Sequence, residues 1–545
     1  MARSGAFQSL ARTIRIARFC DGHGLSTSEG LERALAREAA VAERGASRRK
    51  FLAGAAKLAA LGAIGAVAGP FGRALGTPPP ASGDVAIVGA GLAGLACGDE
   101  LRRHGVLATI YEASDRPGGR CFSLGGAFPG PVDFPGQVVE RGGEFIDNGH
   151  KTMIAYAQQF GLALEDVTKG HEDVFYYFFG QHHSESEVVD EFRGLVDAMR
   201  DDLRTVGNPT ADSFTPADAV LDLTNLREYL ETRGAGDLIK AVIDVAYTIE
   251  YGLEIDRQSC LNFLLFIHAD RRSRFTPFGI FSDERYHVIG GNQQIPAGLA
   301  ARLSGQIQYG MKLKRARKTP AGRVELTLQR GSSTLSATHD AVVFAIPFSV
   351  LREVKLDASL GLPAWKLFAI QNLGYGTNAK MILGFNGPMW LDLGSNGQSF
   401  SDLTNHQNTW ETNPIRATTA HAVLTDYSGG DRGAGLDPRR VQTEATRFLG
   451  DLDKIYPGAL AAATRDARGN FLAHLEHWPS NPLTKGAYTC NQPGYFTTIA
   501  DNEQKPVGNL FFAGEHTSSF YEWQGFMEGG AVSGLRAAAE VLRAL

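Results

Sequence analysis

The 545-residue chain contains only five cysteines, and no two of them form a C-x-x-C pair. The five are Cys20, Cys97, Cys121, Cys260 and Cys490. A disulfide framework needs an even set, and a structural zinc site needs closely spaced Cys or His ligands. The cysteine pattern therefore argues against both, and we expect no metal. It suits a chain that folds in a reducing compartment.

The chain also lacks an excess of positive charge, since 54 Lys and Arg stand against 59 Asp and Glu. Nucleic-acid binding requires clustered Lys and Arg, so we expect no such partner. A long hydrophobic run is missing too: residues 53–70 are rich in Ala and Gly and include Lys57, which argues against a stable membrane span. Neither an internal repeat nor a Ser-His-Asp order is present.

The N-terminus is locally basic, with ten Lys or Arg against five Asp or Glu in residues 1–50. Ser47-Arg-Arg-Lys-Phe-Leu52 resembles a twin-arginine export signal. The resemblance implies a periplasmic or secreted protein, or a cytoplasmic one where the signal is not used. Paired arginines at the start of an exposed helix are the alternative, and 47 residues are more than such a signal usually has before the pair. We divide this region into a basic extension (1–46) and a signal with linker (47–83).

Residues 84–112 predict a nucleotide-binding βαβ unit. A strand is expected over Asp84–Val88, a helix over Leu92–His104 and a second strand over Ala108–Tyr111. Between the first strand and the helix lies G-A-G-L-A-G, residues 89–94. In this position Gly89 permits the tight turn, Gly91 lets the backbone approach a pyrophosphate, and Gly94 lets helix and strand pack closely. Glu112 then ends the second strand, where a carboxylate can accept ribose hydroxyls.

A second glycine turn follows directly in Arg116-Pro-Gly-Gly-Arg120. It can place a second backbone turn and a cation along the same diphosphate, for which a nicotinamide dehydrogenase has no use. This two-part signature resembles that of the flavin amine oxidase superfamily, which includes monoamine, polyamine and L-amino acid oxidases. The resemblance implies FAD as the cofactor.

The resemblance continues in three later segments. Phe511-Phe-Ala-Gly-Glu-His-Thr517 and the run 523–531 resemble the closing flavin motif, and Glu140-Arg-Gly-Gly-Glu-Phe145 resembles the segment whose amides lie near the flavin ring. The helix that begins near Phe526 would stabilise negative charge on the reduced flavin. The residues that the resemblance assigns to FAD are Gly89, Ala90, Gly91, Gly94, Glu112, Ala113, Arg116, Gly118, Gly119, Arg120, Gly142, Gly143, Glu144, Phe145, Gly514, Glu515, Phe526 and Met527.

Four residues are candidates for the chemistry: Lys380, Tyr488, Phe526 and Trp523. From its pattern alone, Lys380 in an apolar run would lie at a strand edge with its amine in water; family members instead bridge this lysine by water to flavin N5. Tyr488 and Phe526 match the aromatic pair that flanks the amine in monoamine oxidases, although each alone would more often be core packing. Trp523 and Trp478 are possible lining residues. Ala487 occupies the place of the flavin-bonded cysteine of animal monoamine oxidases, so we expect noncovalent FAD.

The fold class that follows is α/β (α+β overall), with two discontinuous domains. A Rossmann-like FAD-binding domain is predicted from 84–150, 285–354 and 480–545. A mixed sheet-and-helix substrate domain with a helical insertion is predicted from 151–284 and 355–479. Further expectations are helices over Ser184–Thr205, Ala235–Tyr247 and Gly530–Leu545, a meander over Ile307–Ala337, and strands within Asp340–Ile346 and Asn509–Gly514.

The substrate pattern is mixed. Phe145 stands where venom-type L-amino acid oxidases carry a carboxylate-binding arginine, and Arg271-Arg-Ser-Arg274 offers other cations, although a solvated loop explains that cluster as well. Asp147 lies where some polyamine oxidases have an acid. We expect an FAD-dependent oxidase that deaminates an amine, an L-amino acid first, with O2 reduced to H2O2, acting as a homodimer. The alternatives are a primary-amine or polyamine oxidase, a desaturase of the same fold, and a noncatalytic FAD-binding protein.

Overall fold

The computed structural model describes residues 13, 16–33, 83–168, 173–268, 284–414 and 420–545. The twin-arginine-like motif and most of the linker after it lie outside these residues, and so does the arginine cluster 271–274. In the described ranges, no helix combines the length and the apolar character that crossing a membrane requires. All five cysteines are buried thiols.

A five-stranded parallel sheet forms the centre of the nucleotide-binding half. Its strands, in spatial order, are Leu510–Phe512, Ala341–Phe344, Val85–Val88, Thr109–Tyr111 and Ile307–Gln308. The Val-Ala-Ile-Val strand is buried on both faces, as expected for a parallel strand covered on both sides. The helices Leu92–Arg103 and Met527–Ala544 pack against each other beside this sheet. The strands Val85–Val88 and Leu510–Phe512, which are far apart in the chain, thus belong to one sheet.

Two sequence expectations about this half were wrong in their bounds. Ile307–Gln308 does not belong to the meander but pairs with Thr109–Tyr111, because Gly310 turns the chain with φ 72° before the meander begins. The last helix begins at Met527, not at Gly530. Gly529 lies in the first turn of this helix. The position requires glycine because an added Cβ would overlap the carbonyl oxygen of Trp523.

Smaller sheets and helices surround this core. A four-stranded sheet contains Lys312–Lys318, Val324–Arg330, Ser333–His339 and Lys355–Leu356. Two strand pairs are Ser123–Leu124 with Val139–Glu140, and Leu164–Asp166 with Tyr286–Val288. The helices of these parts are Lys151–Gln159, Gln294–Arg302, Phe348–Leu351, Tyr495–Thr498 and the single turns Ala358–Leu360, Trp478–Ser480 and Glu515–Thr517.

A seven-stranded sheet forms the second half. Its strands, in spatial order, are Ala473–His477, Ala379–Phe385, Ala422–Ser428, Asn408–Glu411, Ser395–Ser401, Asp173–Phe178 and Gln181–His183. In its register Lys380 lies opposite Tyr427 on one neighbour and Glu476 on the other. Directly opposed residues project from the same face of a sheet, so these three side chains share one face.

Helices cover this half of the molecule. They are Glu185–Thr205, Pro216–Leu223, Leu226–Thr232, Asp237–Tyr251, Leu261–His268, Ala364–Asn372, Gly430–Gly435, Val441–Ile455 and Ala459–Ala462, with the turns Ile255–Arg257, Leu391–Leu393 and Pro438–Arg440. Ser184 caps the first of these helices through a capping box with Glu187. The helix expected over Ala235–Tyr247 runs over Asp237–Tyr251 and ends at Gly252, which adopts a left-handed φ of 74°.

The described part of the basic N-terminus packs on this helical region. Residues 16–23 and 27–33 are helical. Ile16 and Cys20 are buried in the same hydrophobic core as Phe192 of the helix Glu185–Thr205. Arg193 of that helix pairs with Asp21 at 2.9 Å. This segment is therefore part of the folded body.

Candidate active site

Two glycine turns meet at the carboxyl end of the parallel sheet. The amide of Gly118 donates to the carbonyl oxygen of Ala90 at 2.8 Å. Gly118 and Gly91 thereby form an isolated parallel β-bridge. An added Cβ on Gly119 would lie 3.4 Å from the Cα of Gly91. Gly118 and Gly119 adopt φ of 104° and 57°, a backbone conformation that favours glycine.

The glycines of the first turn have different structural reasons. At Gly89, with φ 104°, an added Cβ would lie 2.8 Å from the carbonyl oxygen of Ala345, and at Gly94 it would overlap the carbonyl oxygen of Gly89. At Gly91 nothing lies within 4 Å. Gly89 and Gly94 are therefore packing glycines, whereas Gly91 faces an open cleft as the N-cap of Leu92–Arg103.

Twelve of the expected FAD residues line this cleft. They are Gly89, Gly91, Glu112, Ala113, Arg116, Gly118, Gly119, Arg120, Gly514, Glu515, Phe526 and Met527. Ala90 and Gly94 lie behind them in the turn and the helix. The carboxylate of Glu112 accepts hydrogen bonds from the Ala90 amide at 2.6 Å and the Ser114 amide at 2.8 Å. A carboxylate has about four acceptor positions, so Glu112 keeps capacity for a further donor.

An ion pair across the cleft joins the second glycine turn, residues 116–120, to the closing segment 511–517. Arg120 Nη1 donates to Glu515 Oε1 at 3.0 Å and to the carbonyl oxygen of Ala487 at 2.7 Å. Burial, the largest single influence, would raise the pKa of Glu515, but its neighbours, Arg120 first among them, together lower that pKa, and the carboxylate stays charged. Arg116 instead turns back on the local chain, where it stacks on Phe122 at 3.5 Å.

The segment 140–144 is held by side chains along its whole length. Lys380 Nζ donates to the carbonyl oxygens of Glu140 and Gly142 at 3.1 and 2.9 Å. Asn292 Nδ2 donates to those of Gly143 and Glu144 at 3.0 and 2.6 Å.

Trp478 completes the set, since its Nε1 donates to the carbonyl oxygen of Arg141 at 3.0 Å. With these carbonyls occupied, the amides of Glu144 and Phe145 find no acceptor among the residues that the structure describes. The two amides are therefore left without a partner in the part of the chain that the structure describes, although both residues are buried.

Lys380 is buried, contrary to the edge position that its pattern alone suggests. Its side chain is 4% exposed, and its amine donates to Glu144 Oε2 at 2.5 Å. Trp410 Nε1 donates to the other carboxylate oxygen of Glu144 at 2.9 Å. The amine also lies 5.6 Å from the Trp410 ring centroid. Lys380 and Glu144 thus form a fully enclosed ion pair beside the segment 140–144.

The predicted aromatic residues lie around the same region. Tyr488 is 4% exposed; its hydroxyl donates to the carbonyl oxygen of Glu250 and lies 3.1 Å from the hydroxyl of Tyr427. An added Cβ on Gly525 would lie 3.7 Å from the Tyr488 ring, so Tyr488 borders the residue before Phe526. Phe526 and Trp523 meet at right angles, with 5.8 Å between their ring centroids.

Three residues of this region were not identified from the sequence. Asn292 donates to the segment 140–144. Trp410 donates to Glu144, and Tyr427 donates to the Tyr488 hydroxyl. A tryptophan within the polar run His-Gln-Asn-Thr-Trp-Glu-Thr was the available signal for Trp410. Asp147, by contrast, was noted: its carboxylate accepts the Glu284 amide at 2.9 Å.

The residues present fit a bound FAD. The helix Leu92–Arg103 begins without a side-chain cap or an acidic residue in its first turn, which suits an anion such as a diphosphate. Gly91 leaves open space there, and Glu112 has spare acceptor capacity at the ribose end. The uncommitted amides of Glu144 and Phe145 suit a polar ring edge. Among the described residues, no group of three or more Cys, His, Asp or Glu side chains is placed to hold a metal.

Comparisons with known proteins agree with this fit. The model of the family "Flavin containing amine oxidoreductase" matches residues 92–542. The L-amino-acid oxidase of Naja atra is 24% identical over 479 residues, covering 84% of this chain and 88% of that protein. The flavin-dependent L-tryptophan oxidase RebO of Lentzea aerocolonigenes is 27% identical over 480 residues, covering 81% of this chain and 94% of that protein.

Solved structures show the same fold. Cyclohexylamine oxidase from Brevibacterium oxydans IH-35A superposes with a TM-score of 0.70 at 22% identity, covering 85% of this chain and 99% of that one. Wild-type putrescine oxidase bound to putrescine superposes with a TM-score of 0.69 at 19% identity, covering 85% of this chain and 99% of that one. The chain belongs to the family of flavin-containing amine oxidoreductases, and its cofactor is FAD.

Proposed function

We propose that the protein is an oxidase that deaminates a small-molecule amine. In the first step the CH–NH2 group of the substrate becomes an imine, C=NH, and O2 takes up the two electrons and two protons to give H2O2. Water then converts the imine to a carbonyl group, C=O, and NH3 leaves. Bound FAD supplies the redox chemistry, taking two electrons from the substrate and passing them to O2. The observation that carries the proposal is the enclosed Lys380 beside the segment 140–144, with Tyr488 and Phe526 nearby.

The chain's own contribution is orientation and exclusion of water. The hydroxyl of Tyr488 is tied to the Glu250 carbonyl oxygen and to Tyr427, so its ring is held in one position. Phe526 is 2% exposed and packs edge-on against His150, with 5.1 Å between ring centroids. Rigid aromatic walls of this kind would align an uncharged amine with the cofactor.

An L-amino acid is our first substrate candidate. Its support is the set of relatives named as L-amino-acid and L-tryptophan oxidases, each matching more than four-fifths of this chain. Lys380 is already committed to Glu144, so the carboxylate would need another cation. Arg271-Arg-Ser-Arg274 remains the candidate from the sequence.

A primary amine or polyamine is the second candidate, and one observation favours it. Burial raises the pKa of the Tyr427 hydroxyl, and the charges of Glu250, Glu144 and Glu284 raise it further. Three carboxylates therefore act on a hydroxyl that contacts Tyr488. Carboxylates in this position disfavour a substrate that carries a carboxylate of its own, and so favour a simple amine.

Matched substrate pairs would separate the two candidates. Each pair contains an amino acid and the amine that differs only by the missing carboxylate: phenylalanine and phenethylamine, tryptophan and tryptamine, lysine and cadaverine. Peroxide release is measured for the holoenzyme. Faster turnover of the amino acids supports the first candidate, and faster turnover of the amines supports the second. No peroxide with any member, at full flavin loading, would contradict an oxidase and favour a noncatalytic FAD protein.

We also propose export through the twin-arginine motif, without removal of the N-terminus. The support is that residues 16–33 precede the motif and yet pack on the body. Recovery of the N-terminal peptide from periplasmic protein is the expected result. Recovery from the cytoplasm alone would contradict export.

A further inference from the structure

All three hydrogen-bond donors of the Lys380 ammonium are used by a single segment. An ammonium has three N–H donors. They go to the carbonyl oxygens of Glu140 and Gly142 and to the carboxylate of Glu144, at 3.1, 2.9 and 2.5 Å. The family arrangement, a lysine bridged by water to the flavin, leaves at least one donor for that water. Here Glu144 takes that donor.

Both carboxylate oxygens of Glu144 are engaged as well. One carboxylate oxygen binds Lys380 and the other accepts Trp410 Nε1 at 2.9 Å. The exposed fractions of the two charged side chains are 4% for Lys380 and 2% for Glu144. A buried amine without a counter-ion tends to lose its proton, because desolvation disfavours the charged form. The carboxylate of Glu144 is the counter-ion in contact with this buried amine.

We propose that Glu144 is a positioning residue for Lys380: its carboxylate is the counter-ion of the buried amine and fixes that amine against the segment 140–144. This inference rests on the proposed oxidase function, in which the ammonium stabilises the negative charge that develops on oxygen. The two electrons and two protons removed from the amine end in H2O2. Lys380 is therefore unchanged over a full cycle.

Other titratable groups surround the pair, and each is accounted for. They are Glu140, Arg141, Tyr427, His474 and Glu476. Burial raises the pKa of Glu140 to about 8, so this carboxyl is neutral at lower pH. Burial likewise raises the pKa of Tyr427, which stays neutral. Glu476 lies opposite Lys380 in the sheet but binds Arg141 at 2.5 Å and His474 at 3.2 Å. Glu144 is therefore the carboxylate in contact with Lys380.

The first test follows reoxidation of the anaerobically reduced holoenzyme by O2, from neutral to alkaline pH. In Glu144→Gln the rate should begin to fall at a lower pH than in the wild type, since an adjacent opposite charge favours the charged form of an amine. Glu144→Asp keeps the charge and should restore most of the alkaline range. Glu476→Gln is the matched control: it removes a carboxylate from the same sheet face that does not bind Lys380, and should shift the profile less.

The second test measures the pairing without turnover. Thermal unfolding of the wild type, Glu144→Gln, Lys380→Met and the double variant forms a cycle. Each single variant leaves one buried partner alone and should lower Tm. The double variant should lower Tm by less than the sum of the two single decreases. An additive cycle would show that the side chains are not coupled and would overturn the proposal.

The two tests separate this inference from the function on which it rests. If Lys380→Met slows reoxidation while the pH profile of Glu144→Gln equals that of the wild type, the oxidase role of Lys380 stands and the role of Glu144 is refuted. If Lys380→Met reoxidises at the wild-type rate, the role of Lys380 fails and the inference fails with it. If amine-dependent reduction itself is absent, the proposed function fails first.

Discussion

Arg120 and Glu515, which are 395 residues apart in the chain, form a direct ion pair with 3.0 Å between Nη1 and Oε1. The pair joins the second glycine turn, residues 116–120, to the closing motif at the wall of the cleft. Glu515 Oε2 also accepts Thr489 Oγ1 and the Gly525 amide, each at 3.0 Å. One carboxylate therefore fixes the position of three separate segments relative to FAD.

Glu515→Gln should weaken both FAD retention and folding. Removing one partner of a buried pair leaves the other charge uncompensated, which costs about 3–5 kcal/mol. We expect a lower flavin-to-protein absorbance ratio after purification and a lower Tm. Glu522→Gln, an exposed glutamate of the same segment, is the control and should change neither. Wild-type flavin content and Tm in Glu515→Gln would show that the ion pair does not hold the cofactor.

Gly91 and Gly94 should respond differently to the same substitution. Gly94→Ala would overlap the Gly89 carbonyl oxygen, and such overpacking costs about 1–3 kcal/mol or more. Gly91→Ala meets no protein atom within 4 Å, so its methyl group enters the cleft. We expect a lowered Tm of the flavin-stripped protein in Gly94→Ala only. Gly91→Ala should keep that Tm but bind FAD at least about tenfold more weakly, a loss of about 1.4 kcal/mol. Equal FAD affinity in Gly91→Ala and the wild type would contradict the assignment.

The nucleotide half could be read from the sequence because its constraints are local. Gly89, Gly91 and Gly94 lie within six residues; Gly89 and Gly94 are needed for steric reasons that one turn imposes, and Gly91 leaves space open in the cleft. The strand bounds followed from short, fully apolar runs. The meander start was wrong because a two-residue strand, Ile307–Gln308, has too few residues to show which sheet it joins.

The other side of the site depends on contacts between distant segments. Lys380 reaches Glu144 across 236 residues, and nothing in the run around Lys380 indicates a buried carboxylate. Its burial follows from strand register, which places it between Tyr427 and Glu476 on a strand that has neighbours on both sides. Asn292 supports the segment 140–144 from a position that has no pattern of its own.

Glu140→Gln should change how stability depends on pH. Burial raises the pKa of Glu140 from 4.5 to about 8. The folded form then keeps a proton that the unfolded form releases, so this group lowers the free energy of unfolding as pH rises from about 4.5 to about 8. Glutamine removes that dependence, so the Tm of the variant relative to the wild type should increase across this window. The exposed Glu231→Gln serves as the control, and a constant difference in Tm would refute the expectation.

FAD should be noncovalent. Ala487 offers no nucleophile, and its carbonyl oxygen is bound by Arg120. Cys121 lines the cleft, but burial raises the pKa of its thiol, which therefore stays protonated and unreactive. Acid precipitation should give a colourless pellet and a yellow supernatant. A yellow pellet would mean that another side chain forms the bond.

The N-terminal segment should contribute to the stability of the mature protein. Ile16 is 4% exposed and belongs to the main hydrophobic core, whereas Phe19, three residues later, is 37% exposed. Ile16→Ala should therefore cost about 2–5 kcal/mol, as truncation of a buried aliphatic side chain does, and Phe19→Ala should cost much less. Thermal unfolding of the two variants measures the difference. Deletion of residues 1–33 should lower Tm further, because it uncovers the face of Glu185–Thr205 that Arg193 now ties to Asp21. If the deleted protein unfolds at the wild-type Tm, removal of the N-terminus on export would be compatible with a stable enzyme, and our proposal of an uncleaved N-terminus would lose its basis.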